Sequence, residues 1–267
     1  MIAKIKTTLI FIGILSFGGT PLSFADIPSP DVRLHPVSPI TSTPVLPTVL
    51  PSATIPSTPS PSLMMSMEQR TVEFVRKTVM TLNYSDYQLG GTVFDMKRGV
   101  YVLDCSSYVD HILQAVYPAA YLSLVAATGS EKPTTQHYYE FFTQLSNNSK
   151  RYWNNVKEVK QLEPGDIVVF RDKKNMHGTA AKGHVMIVMN KPMREMNEFV
   201  VRVADSASVG HSQDTRLPHV SGIGIGTLLL KVNPKTGKPY AYAWKVGSPW
   251  KSNVKFAMAR PVSKHAG

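Results

Sequence analysis

Gly99-Val100-Tyr101-Val102-Leu103-Asp104-Cys105-Ser106-Ser107, followed by Val109, Ile112, Leu113 and Val116, is the stretch on which the fold turns. A short β-rich run passes into an apolar stripe at helical spacing, which predicts a helix starting near Cys105 and stopping before Pro118. Asp104, Ser106 and Ser107 suit its cap and first turn. Upstream, Ser66 and Gln69 have capping-box spacing, and Val72, Val75, Val79 and Leu82 predict an amphipathic helix of about four turns. Residues 84–91 between the two read as a turn-rich loop. Downstream, Pro133 and Thr134 head a further helix expected over 135–145. From there the pattern changes to period two, and strands are expected at 167–170, 184–189, 198–204, 222–232, 240–246 and 254–260. Helices first and strands afterwards predict an α+β fold, with N-terminal helices packed on one face of an antiparallel β-sheet.

The rest of the chain frames this domain. Lys4 and Lys6 precede the apolar run from Leu9 to Leu15, and Ser23-Phe24-Ala25 follows. A basic start, a short apolar stretch and a small-x-small site predict a cleaved signal peptide over residues 1–25, hence a periplasmic or secreted protein. The run is shorter than the ~20 residues a spanning helix needs, so no stable membrane insertion is expected after cleavage. Of 20 prolines, ten lie between Pro28 and Pro61; lacking N–H donors and fixed in φ, they rule out helix and central strand there. Residues 26–63 therefore read as an extended, disordered Pro/Ser/Thr-rich linker, and 64–267 as the folded domain. The formal charge is +11, of which +9 remains without the two leader lysines. No basic amphipathic helix or interleaved basic–aromatic motif accompanies it, so a nucleic-acid partner is not expected.

The chain has one cysteine. Neither an intramolecular disulfide nor a cysteine-based zinc site can form, and an unpaired thiol in an exported protein reads as intermolecular or reactive. Position favours reactive: a sulfur at a helix N-terminus meets unsatisfied N–H groups and the positive end of the dipole, which favour thiolate and oxyanion alike. A cysteine nucleophile also needs a base. Among eight histidines, His184 begins an apolar strand, where a polar side chain can leave the sheet's end toward a helix N-terminus. A simple hairpin centred between Arg194 and Glu195 sets Asp205 directly opposite His184, able to fix its tautomer. His111 reads as a polar-face residue, and His177, His211 and His219 as loop residues. His211, Asp214 and His219 are a weak zinc alternative whose spacing matches no strong metal motif. No metal or cofactor is expected.

Taken together, these features resemble the NlpC/P60 family of cell-wall cysteine peptidases, thiol proteases with a papain-like fold. The likeness lies in Tyr87-Gln88-Leu89-Gly90-Gly91, Asp104-Cys105-Ser106-Ser107, Leu162-Glu163-Pro164-Gly165-Asp166 leading into 167–170, His184-Val185-Met186-Ile187 and the terminal strand 256–260. It implies Cys105 as nucleophile, His184 as general base and Asp205 in the third polar position, where the family usually has histidine, asparagine or glutamine. It further implies Tyr87 near the oxyanion, and Asp104 and Ser106 holding the substrate's amino end. The substrate implied is the peptidoglycan stem peptide, typically its γ-D-glutamyl–diamino acid bond. Ser107 replaces the family's glycine, and residues 118–155 form a longer segment expected as a lid or specificity wall. A catalytically silent module binding wall fragments or a protein partner is the alternative reading, and an acyltransferase on the same scaffold a third.

Overall fold

Ser66 opens the first helix through a reciprocal cap: its Oγ accepts the Gln69 N–H at 3.2 Å, and Gln69 Oε1 accepts the Ser66 N–H at 2.8 Å. This helix, α1 (Met67–Met80), begins the ordered part of a computed structural model that describes residues 65–145, 152–175 and 183–263. The leader 1–25, the linker 26–63 and His177 lie outside the described residues.

Residues 84–91, expected as a loop, instead supply a strand. β1 (Tyr84–Tyr87) runs parallel to β3 (Val100–Leu103), and β2 (Thr92–Asp95) closes the other edge of this small sheet in antiparallel fashion. β1 lacks the apolar alternation that announces a strand; its pairing partner supplies the order. The ladder sets Tyr87 opposite Leu103, two residues before Cys105.

The helical layer continues with α2 (Cys105–Val116), α3 (Pro118–Thr128) and α4 (Thr135–Thr143). Pro118 ends nothing but α2: its fixed φ and missing N–H suit the first turn of α3, which the sequence reading missed. The described residues of the 118–155 segment are therefore no lid. Tyr121, Leu124, Phe141, Phe142 and Trp153 are buried in the main core, and the Trp153 indole N–H donates to the Ala120 carbonyl at 2.9 Å.

The large sheet comprises β4 (Trp153–Asn155), β5 (Ile167–Asp172), β6 (Gly183–Val188), β7 (Met193–Glu195), β8 (Glu198–Ala207), β9 (Gly222–Val232), β10 (Pro239–Ala243) and β11 (Val254–Pro261). Its order is β10-β9-β8-β6-β5-β11-β4, with β7 added to β8, and every pairing is antiparallel. The α+β expectation thus holds. One face, with Val169, Val185, Ile187 and Ala204, meets α2 and α4. The other has its own core of Val168, Met186, Val188, Val203, Leu228 and Met258. It is buried because β10 comes back against β11, stacking Tyr242 on Phe170 at 4.3 Å between ring centres. Burial on both faces explains why these strands read as unbroken apolar runs.

A polar corner pins the sheet. Gly165 takes φ +92, and Asp166, wholly buried, accepts Arg260 Nε at 2.7 Å, Arg260 Nη2 at 2.9 Å and the Glu163 N–H at 2.9 Å. A buried carboxylate is tolerable because a planar guanidinium saturates it. The Pro164-Gly165-Asp166 turn thereby ties the start of β5 to the end of β11.

The β6–β8 register departs from the simple hairpin. Ile187 pairs with Ala204 and Val188 with Val203, whereas β7 pairs Met193 with Val200, so the turn falls at Met196 and Asn197. Asp205 is consequently two residues out of direct opposition to His184. A shift of two preserves the face of each side chain; a shift of one would have reversed it.

Candidate active site

Asp104 organises the leading end of α2. Its Oδ1 accepts the Ser107 N–H at 2.8 Å and the Ser106 hydroxyl at 2.9 Å, while Oδ2 accepts the Gly90 N–H at 2.9 Å. Gly90 reaches it through a left-handed backbone, φ +73. The Asp104 carboxylate and the Ser106 hydroxyl, expected at the substrate's amino end, are thus both engaged in capping and in anchoring the 88–91 turn. Ser107 and Tyr108 donate their N–H groups to Asp104, leaving those of Cys105 and Ser106 without a partner among the described residues.

Three residues separated in sequence converge at this helix end. Cys105 acts electrostatically on His184, and His184 Nε2 meets Asp205 Oδ2 at 2.6 Å. With Nε2 engaged by Asp205, Nδ1 is the ring nitrogen left for a second partner. β8 is held in place by Ser206, whose hydroxyl donates to the Leu103 carbonyl at 2.7 Å, just ahead of Cys105. Burial opposes the charged form of His184, but the negative sulfur of Cys105 and the Asp205 carboxylate outweigh it and raise the imidazole to about 10. Burial likewise works against ionised Asp205, yet His211 and His184 overcome it and hold the carboxyl well below its ordinary range.

Tyr87 lines the same site. Burial, then the negative charge at Cys105, Asp104 and Asp205, pushes its phenol up to about 12, so it stays a hydrogen-bond donor at neutral pH. Beside His184 opens a cavity of about 1010 Å³, bounded by Tyr87, Phe170, Val209, Tyr242, Trp244 and Trp250. None of its lining residues comes from the 118–155 segment.

Two residues that the sequence reading left outside the site belong to its frame. His211 Nε2 meets the same Asp205 Oδ2 at 2.9 Å, and Arg216 Nη2 donates to Asp205 Oδ1 at 2.8 Å. Arg216 also grips Asp214 through Nε and Nη2, both at 2.8 Å, and donates from Nη1 to the Gly222 carbonyl at 2.7 Å. This strap, residues 211–216, lies on a glycine track in β9: a Cβ on Gly224 would fall 2.5 Å from Arg216 Nε, and one on Gly226 2.5 Å from Asp214 Oδ2. Glycines at period two were the signal in the sequence, marking where a second layer approaches a strand too closely for side chains. The zinc alternative is not what forms: His211 and Asp214 adjoin, but His219 is exposed and absent from the cluster.

His184, Asp205 and His211 present their ligand atoms within 4.8 Å of one another. Tetrahedral ligands at zinc stand about 3.4 Å apart, given metal–ligand distances near 2.1 Å. The 2.6 and 2.9 Å contacts are shorter, and Arg216 already places a cation on the carboxylate. Direct hydrogen bonds, rather than a metal centre, account for the arrangement.

No known family profile matches the chain. It is similar to an uncharacterized protein of Acanthamoeba polyphaga mimivirus, 24% identical over 163 residues that cover 54% of this chain and 69% of that protein. Among the described residues, no helix is long and apolar enough to cross a membrane.

Proposed function

We propose that this protein is an exported cysteine peptidase that hydrolyses peptidoglycan stem peptides, at a bond of the γ-D-glutamyl–diamino acid type. The observation that carries the reading is the grouping of Cys105, His184 and Asp205 at the leading end of α2, with His184 bonded to Asp205 and under the influence of Cys105. The papain-like NlpC/P60 likeness of the motifs around Tyr87, Cys105, Asp166 and His184 supplies the substrate class, and the leader read at residues 1–25 the location. A formal charge of +9 without the leader lysines favours approach to an anionic wall polymer.

In this reading the Cys105 thiolate attacks the scissile carbonyl, forming the C–S bond and a tetrahedral oxyanion. The N–H groups of Cys105 and Ser106 and the Tyr87 phenol are the donors for that oxyanion. His184, protonated on Nδ1, passes that proton to the leaving amine as the C–N bond breaks. The neutral imidazole then takes a proton from water, whose hydroxide adds to the thioester. Collapse expels the thiolate and releases a carboxylic acid. Asp205 holds the ring on the correct tautomer throughout.

The test is digestion of purified wall peptides with the protein, weighing the fragments by mass spectrometry. Hydrolysis at one bond, lost in Cys105→Ala, is expected. Peptides that remain intact but bind would favour the silent module instead.

A further inference from the structure

We propose that His211 is a positioning residue of this site, an imidazolium that shares the Asp205 carboxylate with His184 and weakens that carboxylate's hold on the His184 proton. The inference rests on the thiol–imidazole reading above and concerns what tunes it.

The ring of His211 is placed between two acceptors. Nε2 lies 2.9 Å from Asp205 Oδ2, and Nδ1 lies 3.2 Å from the Trp244 carbonyl oxygen. A carbonyl can only accept, and so can an ionised carboxylate. A neutral imidazole has a single N–H and would leave one contact as two facing acceptors; only the imidazolium satisfies both. Trp244 also stacks its ring on His211, 4.0 Å between centres at 28°, an arrangement favourable to a cation.

Charge balance points the same way. His211 is 4% exposed. The charged groups facing it are Asp205 from β8, Asp214 and Arg216 from its own strap, and His184 from β6; Cys105 of α2 and Tyr87 of β1 stand beyond His184. Cys105 and His184 together add no net charge, whether as thiol and imidazole or as thiolate and imidazolium. Asp205 and Asp214 bring two negative charges and Arg216 one positive, so a charged His211 makes the remainder neutral, as burial demands. Asp205 Oδ2 then divides its hydrogen-bonding capacity between two rings. His184 feels a partly compensated carboxylate, and the pH range of the Cys105–His184 ion pair moves downward.

Two measurements on the full chain test this. With histidine labelled by ¹⁵N, the His211 ring should show both nitrogens protonated at pH 7; a neutral-imidazole pattern overturns the proposal without any mutation. Separately, the rate of Cys105 alkylation by iodoacetamide is followed against pH. His211→Gln keeps an N–H donor but removes the charge, and should move the rise in rate upward by about one pH unit. A profile unchanged in His211→Gln overturns the role of His211 while leaving the peptidase reading intact. Ordinary thiol reactivity in the parent protein, insensitive to His184→Ala, removes the peptidase reading and this inference with it.

Discussion

Gly224 lies directly opposite Asp205 in the β8–β9 ladder, and the missing side chain is what admits Arg216 to that carboxylate. A wholly buried aspartate at the end of a sheet needs donors on every lone pair. Here they come from three directions: His184 on β6, and His211 and Arg216 on the strap above β9.

Gly224→Ala should therefore act at a distance. The added methyl would sit 2.5 Å from Arg216 Nε and 2.7 Å from Asp214 Oδ1, both in a tightly held ion pair. Overpacking of this kind costs about 1–3 kcal/mol. Thermal unfolding should show a loss of about 2–10 °C. Cys105 alkylation should slow as well, because Asp205 loses part of its support. An unchanged melting temperature would show that the strap moves freely.

Removing the charge of Asp205 should be more costly. Asp205→Asn leaves Arg216 and His211 without their anion, and breaking a buried pair costs about 3–5 kcal/mol. The pH dependence carries the signature. Folded Asp205 is held below its ordinary value, so its contribution is complete above pH ~4 and is lost as pH falls through the depressed range. Acid unfolding of the parent should steepen below pH 4, and that slope should flatten in Asp205→Asn.

His184 has the opposite sign. Its imidazole is raised from 6.5 to about 10, so the stability it lends is complete below pH 6.5 and disappears as pH rises toward about 10. Denaturant titrations across pH 6–10 should show that decline, and His184→Ala should remove it. In the proposed reaction, hydrolysis should fall over the same alkaline limb, since the leaving amine requires a proton from His184.

Tyr87→Phe separates an oxyanion donor from a packing residue. The ring remains, so the melting temperature should move little, while kcat on wall peptides should drop about 10²–10³-fold if the phenol stabilises the oxyanion. Equal kcat with raised KM would assign the hydroxyl to substrate binding instead.

Asp104→Ala tests capping against substrate binding. Its oxygens hold Ser107, Ser106 and Gly90, so loss of the cap should destabilise the protein by about 1–2 kcal/mol. Asp104→Asn, which keeps an acceptor, should recover most of that loss in a denaturant titration.

Much of this protein is written in its sequence because the signals are local. Ser66 and Gln69 fix the start of α1, the apolar stripe after Asp104 fixes α2, and the unbroken runs near Val168 and Val185 fix central strands. Capping and periodicity act within a few residues, where chain connectivity already brings groups together. Such signals were enough to set Cys105 at a helix start, His184 at the head of a strand and Asp205 on the matching face, even with the register two residues out.

The tertiary structure alone decided the rest. β1 is ordered by its parallel partner, α3 by its place under Trp153, and His211 and Arg216 by a glycine track lying eight to fifteen residues further along the chain. Their roles arise from burial: a carboxylate out of reach of water must collect cations and donors wherever the fold can bring them. A sequence shows which residues could serve; only the packed strands determine which of them arrive at Asp205.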